Sequence, residues 1–280
     1  MTYKTVLVCL HNEDGAERLS RFAAAVAAKF QAHLIGLYPA RQVELHATLG
    51  PYISDDILDR LKEQAEQEAE RFKALFETGV GGTAPSSEWR SLHARSEEVL
   101  EALVGQALPV DLVIMSQPAD PDDAREEHEV HRKLILGAGR PVLVMPKYGD
   151  FDTIGERVIL GWNGTRESSR AAHDAMPFLS AAKEVSMLGV ESRHATEDEL
   201  KQNGKDLAEN LKRHGAHVSV SNFRKGDTSV ADEMLNTAAD KGADLIVMGA
   251  YGHSRVYDFV LGAATSGILE HMTVPILFSH

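Results

Sequence analysis

The residues best placed to do chemistry are glycines. Met248-Gly249-Ala250-Tyr251-Gly252 is followed, after nine intervening residues, by Gly262-Ala263-Ala264-Thr265. Gly249 ends an apolar run, Leu245–Met248, that reads as a buried strand, and open α/β sheets bind ligands at the carboxyl edge of such strands. Glycines there permit positive φ and a close approach of ligand to backbone. Exposed amides around Gly262, together with the Thr265 hydroxyl, suit phosphate oxygens. A second polar turn, Gly161-Trp162-Asn163-Gly164-Thr165, closes another apolar run, Val158–Gly161. Two readings of this turn stand side by side. Asn163 either offers its amide to a ligand, or Asn163-Gly164 is only a turn with Thr165 or Ser168 capping the next helix.

The elements that must position these residues occur twice. Asp111-Leu112-Val113-Ile114-Met115 returns as Asp244-Leu245-Ile246-Val247-Met248, Arg140–Val144 as Val274–Phe278, and Lys4–Val8 as Glu156–Leu160. Three apolar echoes in the same order argue for duplication. In the second copy the pattern predicts strands at Val158–Gly161, Val185–Val190, His217–Asn222, Leu245–Gly249 and Pro275–Phe278. Helices are expected over Glu167–Ala182, Glu197–His214, Ser229–Lys241 and Asp258–His271. The first copy reads as strands at Val6–Leu10, Leu34–Tyr38, Glu88–His93, Leu112–Ser116 and Val142–Met145, with a long helix over Asp55–Glu77 after a Pro39–Ser54 loop. Strands apolar on both faces and joined by helices imply parallel pairing. The expected fold is therefore α/β: two tandem, doubly wound, mainly parallel five-stranded sheets flanked by helices. The expected domains are 1–148 and 153–280, divided at the polar stretch Tyr148–Thr153.

Gly249-x2-Gly252-x9-Gly262, with Asp244–Gly249 before it and Val274–Leu277 after it, resembles the G-x2-G-x9-G-[S/T] signature of the universal stress protein family. The resemblance implies a Rossmann-like fold and, from the family's ATP-binding members, a loop that cradles ribose and phosphates. Carried onto this chain, it implies nucleotide contacts at Gly161, Trp162, Asn163, Val190, Met248, Gly249, Gly252, Gly262, Ala263, Ala264 and Thr265, with ATP and Mg²⁺ as the bound species. Two positions depart from the pattern. Ala263 stands where the family has Ser or Thr, and loss of that hydroxyl contact costs about 1 kcal/mol of binding. Asn163 stands where the family has Asp.

The first copy lacks the motif. Ser116-Gln117-Pro118-Ala119-Asp120-Pro121-Asp122-Asp123 has no glycine, its prolines remove amide donors, and its carboxylates repel phosphate. One nucleotide site per chain is expected. Family members often dimerise through the last strand, so Val142–Met145 beside Pro275–Phe278 would make a pseudo-dimer within the chain, with a homodimer as the other arrangement. No Gly-x-Ser-x-Gly elbow, Walker lysine motif or HExxH helix occurs. Binding rather than catalysis is expected, as a stress-response protein or, in the alternative, a nucleotide-free interaction scaffold. His128 and His131 among Glu126, Glu127 and Glu129 read as a solvated helix start rather than a metal site. Ser254 and Arg255, just past Gly252, lie near the expected phosphate position, where Arg255 and His253 either contact phosphate or, as the favoured reading, face solvent.

Composition agrees with these expectations. The chain has 280 residues, 43% hydrophobic and 25% charged, with a formal net charge of -13. Both halves are acidic, which disfavours nucleic acid and anionic membranes. No apolar run reaches the roughly 18 residues of a membrane span. The Met1–Val8 segment enters a strand-like run without a basic leader, so a cytoplasmic protein is expected. The single Cys9 lies in an apolar run and reads as a buried, unreactive strand residue.

Overall fold

The computed structural model describes residues 2–41, 55–95, 98–118, 125–151, 153–190, 196–221, 229–250 and 263–280. In chain order the first elements are β1 (Thr5–Cys9), α1 (Ala16–Phe30), β2 (His33–Arg41), α2 (Asp55–Val80), β3 (Ser86–Ala94), α3 (Val99–Ala107), β4 (Leu112–Ser116), α4 (Arg125–Gly137) and β5 (Val142–Met145). There follow β6 (Arg157–Trp162), α5 (Arg166–Asp174), α6 (Met176–Ala181), β7 (Glu184–Gly189), α7 (Glu197–Arg213), β8 (Val218–Ser221), α8 (Val230–Lys241), β9 (Leu245–Gly249), α9 (Ala263–His271) and β10 (Ile276–Ser279). The chain divides into two compact units, Lys4–Ile114 and Met1–Tyr3 with Met115–His280.

In the Lys4–Ile114 unit the strands run β3-β2-β1-β4, all parallel. In the other unit they run β5-β10-β9-β6-β7-β8. There every described pairing is parallel except β10 with β5, which is antiparallel with Leu277 opposite Leu143. The mainly parallel α/β class read from the sequence is the one observed. β8-β7-β6-β9 repeats the β3-β2-β1-β4 order, and the two copies share a detail beyond strand order. The Asp111 carboxylate accepts the backbone N–H groups of Lys4 and Thr5 at 2.8 and 3.0 Å. Asp244 accepts those of Glu156 and Arg157 at 3.0 and 2.9 Å. In each copy the residue before the fourth strand thus pins the start of the first, using a charged acceptor for amides the ladder leaves open.

Helices cover both faces of the β6–β10 part. Gly249 lies under the first turn of α5, whereas the preceding Met248 lies beside Gly161 on the face occupied by Met234 of α8. That alternation is the period-2 pattern of a strand buried on both sides. Val158, Leu160, Leu245, Ile246 and Val247 are all buried.

Several element limits differ from the sequence reading. The single helix expected over Glu167–Ala182 is two helices, α5 and α6, parted at Ala175. Pro177 is the cause: it has no N–H to donate and its ring crowds the carbonyl four residues back. β2 continues through Pro39 to Arg41, so the expected Pro39–Ser54 loop begins later, and the rest of it lies outside the described residues. Proline is tolerated there because β1 pairs only with His33–Leu37, leaving the Pro39 nitrogen no ladder bond to make. α2 extends to Val80 rather than Glu77. β8 spans Val218–Ser221, and Asn222 lies outside the described residues, as do residues 258–262 of the last expected helix.

His131 is not a solvated helix residue. It is 1% exposed, with Nδ1 2.7 Å from the Glu127 carbonyl and Nε2 2.6 Å from the Ser116 carbonyl, tying α4 to the end of β4. No group of three His, Cys, Asp or Glu side chains among the described residues is arranged to hold a metal ion. Cys9 is buried, and burial pushes its thiol up to about 12. No helix among the described residues is long and apolar enough to cross a membrane.

Candidate functional site

Parallel pairing brings the carboxyl ends of β6, β7, β9 and β10 to one edge. Trp162 lies level with Gly189, and Ser279 level with Gly249. The Trp162 carbonyl accepts the Val190 N–H at 2.7 Å, and the Ser279 carbonyl accepts that of Ala250 at 2.8 Å. Helices that follow such strands start at the same edge, so the first turns of α5, α8 and α9 point their amides there. Ala264 and Thr265 stand in the first turn of α9, with Thr265 buried.

Of the residues the sequence nominated, Gly161, Trp162, Asn163, Val190, Met248 and Gly249 converge on this edge, and α9 begins at Ala263. Gly252 and Gly262 lie outside the described residues, as do the Ala263 side chain, His253, Ser254 and Arg255.

Gly249 and Gly161 are glycine for a reason other than ligand approach. Neither has positive φ. A Cβ on Gly249 would lie 2.6 Å from both the Glu167 carbonyl carbon and the Ser168 nitrogen. Backbone atoms cannot swing aside, so the missing side chain lets α5 cross the end of β9. A Cβ on Gly161 would lie 2.8 Å from Met234 Cε, the far end of a flexible side chain. Gly249→Ala is therefore expected to cost about 1–3 kcal/mol of stability through overpacking, read as a lower urea midpoint. Gly161→Ala offers the internal contrast, because Met234 can yield.

Asn163 is engaged as a turn residue. Its Oδ1 accepts from the Thr165 hydroxyl at 2.8 Å and the Thr165 N–H at 3.2 Å. Thr165 in turn caps α5 in a reciprocal box with Ser168, the capping role the sequence offered. Asn163 keeps its Nδ2 donor free of partners among the described residues. Burial pushes the Glu167 carboxyl up, but its own backbone amide, the Thr165 hydroxyl and the Arg166 guanidinium outweigh that and hold it below the usual carboxylate range. A fixed negative charge thus stands at the start of α5.

Two polar atoms at this edge are sealed from water without a partner among the described residues: Trp162 Nε1 and Ser279 Oγ. Trp162 is 7% exposed and Ser279 1%. A third, Glu233 Oε1, sits in the first turn of α8. Sequence reasoning missed Ser279 and Glu233, which carry no motif. The only signal for Ser279 was its place one residue past an apolar strand.

Residues 168–280 match the universal stress protein family. Universal stress protein Slr1230 of Synechocystis sp. is 22% identical over 98% of this chain and 99% of that one. The family is thus matched over residues 168–280, and the chain as a whole is similar to one of its members. Universal stress protein YxiE of Bacillus subtilis is 32% identical over 83 residues, 29% of this chain and 55% of that protein. Among solved structures, a universal stress protein from Archaeoglobus fulgidus superposes with a TM-score of 0.72 at 14% identity, covering 98% of this chain and 95% of that one. That likeness establishes the universal stress protein fold alone.

An open groove also runs along α2, in the other unit, lined by Glu63, Glu66, Gln67, Glu70, Arg71 and Ala74. Its three carboxylates oppose a phosphate, and it forms no part of the candidate site.

Proposed function

We propose that this chain is a universal stress protein that binds an adenine nucleotide, ATP, at the carboxyl edge of β6, β7 and β9, and acts in stress response through binding rather than catalysis. The supporting observation is the pair of sealed groups without a partner among the described residues, Trp162 Nε1 and Ser279 Oγ, at the carboxyl ends of β6 and β10. Buried polar groups in native proteins are nearly always hydrogen-bonded, so orphans gathered at one strand edge favour a missing ligand. The residues fit such a group. Val190 has spent its N–H but offers its carbonyl, Asn163 offers Nδ2, and the first turn of α9 offers amides to phosphate. The ionised Glu167 disfavours a phosphate at α5 and leaves α9 as the place for it. Mg²⁺ would arrive with the triphosphate.

The same reading proposes a tandem of domains 1–148 and 153–280 in a cytoplasmic protein. The β5–β10 pairing would then stand in for a contact between subunits, with a homodimer of tandems as the other arrangement. One observation favours the alternative of a nucleotide-free interaction scaffold: the spaces at Gly249 and Gly161 are taken by α5 and Met234. Calorimetric titration with ATP and Mg²⁺, and extraction of nucleotide from the purified protein, decide between them. Micromolar to submillimolar binding is expected, weakened by the missing hydroxyl at Ala263. Absence of both copurified nucleotide and any heat at millimolar ATP would leave the scaffold reading.

A further inference from the structure

We infer that the Trp162 indole N–H is a ligand-binding donor in this chain, reserved for an acceptor on the nucleoside portion of the bound molecule. The inference rests on the nucleotide reading above and deepens it by assigning a role to one residue. Trp162 is the last residue of β6, directly before the Asn163 turn. Its neighbour across the β6–β7 pair is Gly189, which has no side chain. Carrying the β6–β9 register on from Leu160–Val247 places Gly249 level with it on the other side. The indole therefore lies on a strand edge where both flanking positions are glycine.

The ring is 93% sequestered, yet its single polar atom has no acceptor among the described residues. An indole offers one donor and nothing else. Buried without a partner, it forfeits the hydrogen bond it makes to water when the chain is unfolded. Phenylalanine, though smaller, would carry no donor to leave unsatisfied. The neighbouring groups define what would satisfy it. Asn163 Oδ1 is spent on Thr165, leaving Nδ2 as a second donor, while the Val190 N–H is spent on the Trp162 carbonyl. Two donors without partners among the described residues stand at the end of β6, and they call for a ligand face of acceptors, such as the ring nitrogens or ribose oxygens of a nucleoside. The phosphates are assigned to α9, so a phosphate oxygen is not the intended partner.

The chain has two tryptophans, Trp89 and Trp162, and Trp89 lies on β3, packed against Phe76 in the other unit. Trp89→Phe therefore leaves Trp162 as the sole indole without touching the site. In that background the ¹⁵N-labelled indole N–H is expected to resonate where unbonded indoles do, and to move downfield with adenosine or ATP. Tripolyphosphate alone is expected to leave it in place. Trp162→Phe, which keeps an aromatic ring, should weaken ATP binding roughly three- to tenfold. Replacing Trp162 with 3-benzothienylalanine, which exchanges the N–H for sulfur at nearly constant shape, should do the same if the phenylalanine variant folds poorly.

An indole already downfield in the free protein and unmoved by ATP would reveal a protein acceptor and overturn the inference. So would undiminished ATP affinity in either variant, or a response to tripolyphosphate equal to that for ATP. These outcomes leave the nucleotide reading standing. Only a wild-type protein that binds no ATP at all removes both.

Discussion

Acidification from pH 7 to pH 4 is expected to weaken the Lys4–Ile114 unit by about 2–3 kcal/mol through His11 alone. Both ring nitrogens of His11 are sealed from solvent, and burial pushes the imidazole from 6.5 down to about 4, with a hydrogen bond involving the Cys9 backbone opposing the shift. The folded unit therefore resists a proton that the unfolded chain accepts. Stability due to the neutral ring is intact above pH 6.5 and drains away as pH falls through about 4. Urea midpoints at half-unit intervals of pH measure the slope. His11→Gln, which cannot titrate, should flatten the part between 6.5 and 4, and an identical slope in the variant would refute the assignment. The same residue explains a difference between the copies. The 152-residue offset that aligns β1 with β6 aligns His11 with Asn163, so a sealed imidazole stands in the first copy where the second has a turn built on the Asn163 amide oxygen.

Phe178→Ala should cost about 3–5 kcal/mol, the usual range for emptying a fully buried aromatic position. Phe178 is 0% exposed. Its ring centre is 5.7 Å from that of Tyr3, and a Cβ on Gly155, whose φ is +73°, would lie 2.7 Å from Phe178 Cδ1. The ring thus joins α6, the residues before β1 and the approach to β6. None of these can close a cavity without moving the others. Tyr3 is further fixed by its hydroxyl, which donates to the Asp174 carbonyl at 2.6 Å. A loss under 1 kcal/mol in urea unfolding would mean that the site collapses freely and that this joint is weaker than its packing implies.

Much of the fold was legible because its physics is local. Leu245–Met248 reads as a doubly covered strand from apolarity alone, and Asp111 and Asp244 announced themselves as a repeated pair before their shared task of pinning a strand start was visible. The break at Ala175 was also within reach, since Pro177 stands in plain view. An amphipathic pattern running through it hid the interruption. That the nominated residues of β6, β7 and β9 share one strand edge was legible, but not the cause of their residue types. A glycine declares that a side chain is absent without saying who uses the space, and at Gly249 the user is the backbone of α5. Nor does a sequence decide between the two readings of Asn163, or reveal that the N–H of Trp162 has no partner among the described residues. His131 erred the opposite way: flanking glutamates suggested water, whereas the ring is gripped between two carbonyls.

The antiparallel seam between Val142–Met145 and Ile276–Ser279 bears on any attempt to dissect the molecule. An experimenter following the repeat would cut in the polar stretch near Tyr148 and keep the later half. That fragment would carry β10 with one flank stripped: unsatisfied amides and carbonyls along Ile276–Phe278, framed by aliphatic side chains. Such an edge is an invitation to pair with a second copy of itself. Scissors placed before Val142 rather than after Pro146 would keep the β5–β10 pairing inside the later half.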